Sequence, residues 1–216
     1  MNAWLSALVP AQPLYKHVVF ALFCVLVLAL GFLPETAVNY LELRTSSGLS
    51  YRWFSAHYVH LGGLHAAMNV AGICVLWLLV VAYLPLRLLA ILLLVLPFSI
   101  SAGLFVSVAE SSSYRGFSGA LYGFFAAGII WHWWLSRGFC ILLGAFLLGK
   151  IVMEQLPGFD NTYLLSSIGG LVAVDSHLFG AISGSIVASV YLICAKLGLL
   201  GCNAPWSQSE PIQAKQ

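Results

Sequence analysis

The amino-acid sequence predicts an all-α membrane protein, built as a bundle of six transmembrane helices in a single domain over residues 1–202. Hydrophobic residues make up 61% of the 216-residue chain and charged residues only 7%, which is too apolar for a soluble domain of this size. Six apolar stretches approach the roughly 20 residues that a helix needs to cross the hydrocarbon core of a bilayer. They are residues 17–34, 62–84, 86–109, 118–135, 138–154 and 177–200.

The composition also limits the partners beyond the lipid bilayer. The net charge of +2 is too small to indicate nucleic-acid binding. The cysteines stand at scattered positions in or beside apolar stretches, which predicts buried thiols and neither a disulfide framework nor a metal site. They are Cys24, Cys74, Cys140, Cys194 and Cys202. The polar residues 203–216 predict a short disordered tail.

The first apolar stretch follows Lys16 and has no small-residue cleavage site after it, so it predicts a retained span and not a signal peptide. An even number of spans places both termini on one side, and a weak excess of Lys and Arg predicts that this side is cytoplasmic. The inner segments hold Lys16, Arg87, Arg137, Lys196 and Lys215; the outer segments hold Arg44, Arg52 and Arg115, with Lys150 near the outer end of its span. On this assignment the acids Glu35, Glu42, Glu110, Glu154, Asp160 and Asp175 all fall outside.

The second span begins with HLGGLHAAMN, residues 60–69, and carries polar side chains where they are costly. His65 and Asn69 are four residues apart, hence on one face of a helix, and both can donate hydrogen bonds. The alternative is that they form hydrogen bonds between helices that hold the bundle together. There is no HExxH motif and no acid in this span, so no metal site is expected. Interfacial positions are expected for His17, His57 and His132.

The fourth span begins with GFSGALYG, residues 116–123. Ser118 stands at the helix start, where its hydroxyl can point into a cavity, and Tyr122 lies on the same face one turn later. Gly119 and Gly123 allow a neighbouring helix to approach closely. Taken alone, this stretch favours a helix-capping serine beside a glycine-rich packing face.

The sixth span begins with DSHLFGAISG, which runs from Asp175 to Gly184. His177, Gly180 and Gly184 recur at helical spacing, so one face bears an imidazole followed by a glycine groove. Histidine is the side chain best suited to take up a proton near neutral pH. Asp175 lies two residues before the histidine and points elsewhere, so a Ser–His dyad is expected instead of a triad. Asp175 or Ser176 is expected to be the N-cap of this helix.

Together, the three stretches supply a nucleophile, a base and two oxyanion donors near the outer ends of separate spans. Ser118 is the nucleophile in this interpretation, His177 the base, and His65 and Asn69 the donors. Acyl transfer requires this combination of groups.

These residues resemble the motifs of the rhomboid family of intramembrane serine proteases, over roughly residues 17–200. Rhomboids carry Gly-x-Ser-Gly at the start of the fourth span, as at residues 116–119 here, and a tyrosine one turn later, as at Tyr122. They carry a histidine followed by glycines at the third and seventh places in the sixth span, as after His177. Their second span opens with spaced histidines and an asparagine, as at residues 60–69. The first loop departs from the usual pattern, with Tyr51-Arg52 in place of Trp-Arg and Ala56 in place of a further histidine.

The resemblance implies a six-transmembrane-helix rhomboid-like bundle that cleaves membrane-anchored proteins with a Ser118–His177 dyad. It implies an oxyanion hole formed by His65, Asn69 and the backbone N–H of Ser118. Tyr122 is expected to pack beneath the catalytic histidine, and the segment 155–176, with the fifth span, to gate substrate entry. The expected supporting glycines are Gly116, Gly119, Gly180 and Gly184. No cofactor and no metal are expected.

A narrower resemblance is to the rhombosortase branch, carried by YRGFSGALYG, VAVDSHLFGAISG and MEQLPG in a six-span body without appended domains. Arg115 belongs to that pattern. Rhombosortases are associated with bacterial proteins that end in a Gly-Gly motif, a single span and a basic tail. The resemblance therefore implies single-span substrates with a Gly-Gly C-terminal anchor, cleaved near the outer membrane face. It implies a bacterial inner-membrane protein with cytoplasmic termini and an active site facing the periplasm.

Three alternatives remain open from the sequence. One is a rhomboid protease of general specificity. Another is a rhomboid-like protein that binds or extracts membrane proteins without cleaving them, although such members usually lack the serine or the histidine. The third is a small transporter, which would show internal repeats and a broken helix pair at the midplane; the sequence shows no convincing repeat and no intramembrane carboxylate.

Overall fold

The computed structural model describes residues 12–44, 48–107 and 113–200 of the chain. The predicted tail at 203–216 lies outside the described residues, as do Glu110, Cys202 and Lys215. In chain order the described elements are α1 (Leu14–Leu30), α2 (Glu35–Leu41), β1 (Leu43–Arg44), α3 (Arg52–Ser55), α4 (Gly63–Leu79), α5 (Leu86–Ser107), β2 (Ser113–Tyr114), α6 (Ser118–His132), α7 (Arg137–Gln155), α8 (Leu165–Ile168) and α9 (Val174–Lys196). Short 3₁₀ turns lie at Val81–Tyr83 and Thr162–Leu164.

The helices fit a membrane-embedded protein. Among the described residues, α5, α7 and α9 are long and apolar enough to cross a membrane, and α1 with α2 makes a fourth span if this pair, bent by 115°, is counted as one. Large apolar side chains cover the outer surface, for example Leu22 on α1, 64% exposed, and Phe146 on α7, 65% exposed. Such a surface suits contact with lipid, because lipid chains impose no cost on exposed apolar groups.

Length alone therefore supports three or four spans where the sequence predicts six. The helices α1, α4 and α6 have 17, 17 and 15 residues. At 1.5 Å per residue they are about 23 to 26 Å long, which is shorter than the roughly 30 Å hydrocarbon core. α1 ends at Gly31, and the proline at position 34 provides no N–H with which a helix could continue.

The helices α6 and α9 pack against each other more extensively than the other described helices do. Gly119 and Gly123 on α6 face Gly180 and Gly184 on α9. A methyl group on Gly180 would overlap the carbonyl oxygen of Gly119, and one on Gly184 would overlap that of Gly123. The two backbones are thus in direct contact, and the first turns of the two helices lie side by side.

The helix α5 packs against α6 and α9 and supplies the central apolar row of the core. Leu88, Leu92, Leu96 and Ile100 follow one another at four-residue spacing, and all four are fully buried. Residues at this spacing lie on one face of a helix. The row packs against both α6 and α9. The first turns of these two helices lie together at one end of the bundle.

A short antiparallel pair of strands, β1 and β2, is the exception to the all-α prediction. Leu43 pairs with Tyr114, and Arg44 pairs with Ser113. The strand pair connects the segment that follows α2 to the segment that precedes α6. The backbone N–H of Gly116 also donates to the carbonyl of Ala56 at 3.0 Å. The segment just before Ser118 is therefore held on two sides.

The start of α9 differs from the prediction. The helix begins at Val174, Ala173 occupies the capping position, and no side chain caps it. Asp175 and Ser176 lie inside the first turn, so the expectation that one of them is the N-cap is wrong. Ser176 is fully buried against Gly119. The helix begins two or three residues before the expected start, and its first turn packs on the first turn of α6.

Candidate active site

Ser118 is the first residue of α6, and Phe117 occupies the capping position. The alternative in which Ser118 caps the helix therefore does not fit the structure. Gly116 has a φ of +131°, a conformation that residues with a side chain rarely adopt. A Cβ at this position would lie 2.8 Å from Cε1 of His65. Glycine is thus required both by the turn that presents Ser118 and by the contact with His65.

The hydroxyl of Ser118 meets the imidazole of His177 on the first turn of α9. Oγ and Nε2 are 3.0 Å apart, although the two residues are 59 positions apart in the chain. This is the distance expected between a nucleophile and its general base. His177 is 4% exposed. The glycine contact between α6 and α9 allows this approach, since any larger residues there would separate the two helices.

Tyr122 packs flat against the imidazole of His177. The ring centroids are 4.1 Å apart and the ring planes differ by 5°. The phenolic hydroxyl donates to Oε1 of Glu154 at 3.1 Å. Tyr122 therefore fixes the plane of the imidazole, while its own hydroxyl is tied to α7.

Glu154 contacts the other nitrogen of His177 and is the site residue that the sequence analysis does not identify. Its Oε2 lies 2.9 Å from Nδ1 of His177. The charge pattern assigns Glu154 to an outer segment, yet it lies on the last turn of α7 and is buried. A carboxylate is thus present inside the bundle, where the sequence predicts none. The sequence signal for Glu154 is its spacing of four residues from Lys150 at the end of an apolar helix, which predicts the ion pair that the structure shows.

A cavity of about 210 Å³ brings the remaining predicted residues to the same place. Nδ1 of His65 accepts the backbone N–H of Leu61 at 3.4 Å, so Nε2 carries the ring proton and can donate. Asn69 donates one amide proton to the carbonyl of His65 at 3.1 Å, which leaves its second amide proton for another acceptor. The cavity wall includes His65, Asn69, Ser118, Tyr122, Glu154 and His177.

The segment between α7 and α9 covers this cavity. Phe159, Tyr163, Ile168 and Val172 all contribute to the cavity wall. Ile168 is buried, and the backbone at Gly170 lies against the side chain of Leu61. The segment that is expected to gate entry therefore lies over the candidate site.

A second group of polar residues, here called the Arg115 cluster, lies beside the loop that precedes Ser118. It consists of Glu35, Glu42, Arg44 and Arg115. Arg115 bonds to Glu35 at 3.0 Å, and its Nε is 3.5 Å from Oε2 of Glu42. Arg44 bonds to the other oxygen of Glu42 at 2.9 Å. The cluster ties α2 and β1 to the backbone three residues before Ser118.

Two further histidines, His57 and His60, are buried in the segment that precedes α4. His57 is fully buried, with Nε2 3.1 Å from Oγ of Ser101, and the ring of His60 lies edge-on to that of His65 at 5.1 Å. Burial lowers the pKa of His57 and the pKa of His60 to about 3, because an apolar environment disfavours the charged imidazolium. His57 and His132 are both buried within the protein. Their interfacial depth in the membrane stays a prediction.

The site offers acid–base and nucleophilic groups. No group of three or more His, Cys, Asp or Glu side chains that could hold a metal ion occurs among the residues that the structure describes. Within the same ranges the cysteines are free thiols. A carboxylate, an imidazole and a hydroxyl in one hydrogen-bonded row can perform nucleophilic acyl transfer. Comparisons of the chain with protein-family models, with curated proteins and with solved structures found no match.

Proposed function

We propose that this protein is a rhomboid-type intramembrane serine endopeptidase, with Ser118 as nucleophile and His177 as general base. The observation that carries the proposal is the 3.0 Å contact between Oγ of Ser118 and Nε2 of His177 at the wall of a cavity. Polar side chains within an apolar bundle are costly and therefore mark functional sites. A hydroxyl and an imidazole from two helices in direct backbone contact meet the geometric test for a nucleophile and its base.

In the proposed reaction, His177 removes the proton of Ser118 as Oγ attacks the scissile carbonyl carbon. The imidazolium then protonates the leaving amine, the C–N bond breaks, and water hydrolyses the acyl-enzyme. The backbone N–H of Ser118 is one of the N-terminal amides of α6 that have no partner within the helix. Together with Nε2–H of His65 and the second amide proton of Asn69, it forms the proposed oxyanion hole.

The proposed topology has six spans, both termini in the cytoplasm, and the site facing the periplasm of a bacterial inner membrane. The starts of α4, α6 and α9 and the end of α7 all border one cavity. This arrangement is what helices that cross alternately up and down produce. A reporter fused after Gln216 tests the topology, because activity of the reporter only in the periplasm would exclude it.

The proposed substrates are single-span membrane proteins with Gly-rich residues just before a C-terminal anchor, as the rhombosortase resemblance implies. Glycine weakens a helix by about 1 kcal/mol relative to alanine, so the backbone there becomes extended and accessible to attack. The test uses a Gly-Gly anchor, the same anchor with both glycines changed to leucine, and an unrelated rhomboid substrate. Preferential cleavage of the first supports this substrate class. Equal cleavage of all three indicates general specificity.

A serine-reactive fluorophosphonate tests the chemistry without a known substrate. The wild-type protein in detergent is expected to be labelled, and the Ser118→Ala variant is expected to remain unlabelled. Labelling of both proteins to the same extent would show that another residue reacts. Failure to label either one, together with no cleavage of any substrate, would favour a protein that binds membrane proteins without cleaving them.

A further inference from the structure

Glu154 has hydrogen-bonding partners at both of its carboxylate oxygens. Oε2 is 2.9 Å from Nδ1 of His177, and Oε1 accepts the hydroxyl proton of Tyr122 at 3.1 Å. Oε1 also accepts from Nζ of Lys150, one turn earlier on α7. Glu154 is 4% exposed, so protein groups provide nearly all of its contacts. A buried charge needs this degree of hydrogen bonding to be tolerated.

Lys150 supplies the positive charge that allows Glu154 to be ionised inside the bundle. A buried carboxylate without a counter-charge is costly, and removal of one partner from a buried ion pair usually destabilises a protein. The side chain of Lys150 remains 38% exposed. Its ammonium group can therefore stay hydrated while it compensates the carboxylate. The pair places a negative charge beside Nδ1 of His177 with no net charge added to the site.

The contact with Glu154 determines which nitrogen of His177 carries the proton. An ionised carboxylate can only accept hydrogen bonds, so Nδ1 must be the donor in this contact. The lone pair of the neutral ring is then on Nε2, which faces the hydroxyl of Ser118 at 3.0 Å. A general base that must remove the serine proton needs this tautomer and this orientation.

We propose that Glu154 is a positioning residue for His177, which makes the site a Ser118–His177–Glu154 triad; this inference rests on the proposed function. As Oγ bonds to the scissile carbon, its proton moves to Nε2 and the carbonyl π electrons move to the oxygen. The imidazolium then lies between the oxyanion and the carboxylate of Glu154, which stays ionised and stabilises it. When Nε2 gives the proton to the leaving amine, the C–N bond breaks and the ring returns to its first tautomer.

The test compares Glu154→Gln with Glu42→Gln, because Glu42 is equally buried and ion-paired but is not bonded to His177. Glutamine keeps the shape of Glu154, removes its charge, and can donate an amide proton to Nδ1, which favours the wrong tautomer. We expect kcat of Glu154→Gln to fall by about 10²–10⁴-fold with KM within about threefold of wild type. Glu42→Gln is expected to keep kcat within about threefold of wild type. Glu154→Asp, which restores the charge at a shorter reach, is expected to recover part of the loss.

The double variant Lys150→Gln/Glu154→Gln serves as a second probe, because it removes both charges and leaves no unpaired lysine beside the site. It is expected to unfold at the wild-type temperature and to lose as much kcat as Glu154→Gln. The triad is overturned if either variant, in its folded form, keeps more than half of the wild-type kcat. It is also overturned if Glu42→Gln loses as much kcat as Glu154→Gln.

Fluorophosphonate labelling separates this inference from the proposed function. Labelling of the wild type but not of Ser118→Ala supports the serine protease, whichever way the Glu154 variants behave. A slower labelling rate for Glu154→Gln supports the triad, and an unchanged rate argues against it. If the wild type is neither labelled nor active on any substrate, the proposed function fails and the triad fails with it.

Discussion

Glu154 and Glu42 are buried to nearly the same extent, at 4% and 3% exposure, and each contacts a basic side chain, yet their other neighbours differ. The second oxygen of Glu154 meets Nδ1 of His177. The second oxygen of Glu42 meets Arg115, in the chain that leads to Ser118. The carboxylate of Glu154 contacts the imidazole, whereas that of Glu42 links arginines on two separate segments of the chain. Burial and charge pairing therefore do not by themselves distinguish the two carboxylates; the role proposed for Glu154 rests on the group at its second oxygen.

The largest effect is expected at the contact that Glu154 supports. Ser118→Ala and His177→Ala should each reduce cleavage to background, because the first removes the proposed nucleophile and the second removes its proposed base. Ser118→Ala should keep the wild-type unfolding temperature in detergent, because it removes only a hydroxyl. His177→Ala should stay folded but unfold at a lower temperature, because it removes a buried ring that stacks on Tyr122 and bonds to Glu154. Turnover near the wild-type level in either one would show that cleavage takes place elsewhere in the molecule.

A smaller loss is expected from the two proposed oxyanion donors. His65→Ala and Asn69→Ala should each lower kcat by about 10²–10³-fold, with a smaller change in KM, because they act on charge that develops in the transition state. Steady-state kinetics on one anchored substrate measures both constants. A change confined to KM would instead indicate that the pair binds substrate or holds α4 in place.

The other side of the comparison is tested by the Arg115 cluster. Glu42→Gln should lower the free energy of unfolding by about 1–3 kcal/mol, because Arg115, which is mostly buried, loses the charge of its buried partner. Activity should change little, since the β1–β2 pair and the hydrogen bond from Gly116 to Ala56 still hold the segment that precedes Ser118. Thermal unfolding and cleavage assays on the same sample measure the two effects. Intact stability with lost activity would reverse the assignment of the two glutamates.

The smallest effect concerns pH and His57, which is buried against Ser101 and Tyr114. The folded-state pKa of His57 is about 3, and an unfolded chain has a value near 6.5. Between these values the unfolded state binds a proton that the folded state does not, so stability present at pH 7 is lost as the pH falls below about 6.5. We expect the free energy of unfolding to fall by about 1 kcal/mol for each pH unit below this value because of this residue. Unfolding temperatures at pH 7 and pH 5 should differ less for His57→Gln than for wild type; equal differences would contradict the assignment.

The residues that sequence analysis brings together are those whose spacing repeats on a helix. Gly119 and Gly123 mark one face of α6, and Gly180 and Gly184 mark one face of α9; the structure puts these two faces in contact. Ser118 and His177 meet at the start of this contact. Periodicity of this kind is a property of a single segment, so it can be recognised in a sequence. The acyl-transfer chemistry rests on the combination of three segments and on the rhomboid resemblance, and it stays a prediction.

Glu154 could not be identified in the same way. Its partner His177 is 23 positions later on another helix, and a glutamate at the end of an apolar stretch is most simply interpreted as a charge outside the membrane. The start of α9 is similar, because packing on α6 extends the helix past the residues expected to cap it. The number of spans also depends on where helices end, which Gly31 and tertiary contacts decide in α1. Each of these features is set by contacts between segments.

The position of Glu154 on α7 has a consequence for the order of events in the proposed reaction. Ser118 and His177 belong to helices in backbone contact, while α7 packs less extensively on the bundle and exposes most of its apolar side chains. A displacement of α7 that widens the cavity would carry Glu154 away from His177 and leave the other two residues together. Substrate entry and full reactivity of the proposed site would then occur at different times, and cleavage would follow only after α7 returns. Membrane proteins that enter and leave faster than this return would escape uncut, so the delay itself would select among substrates.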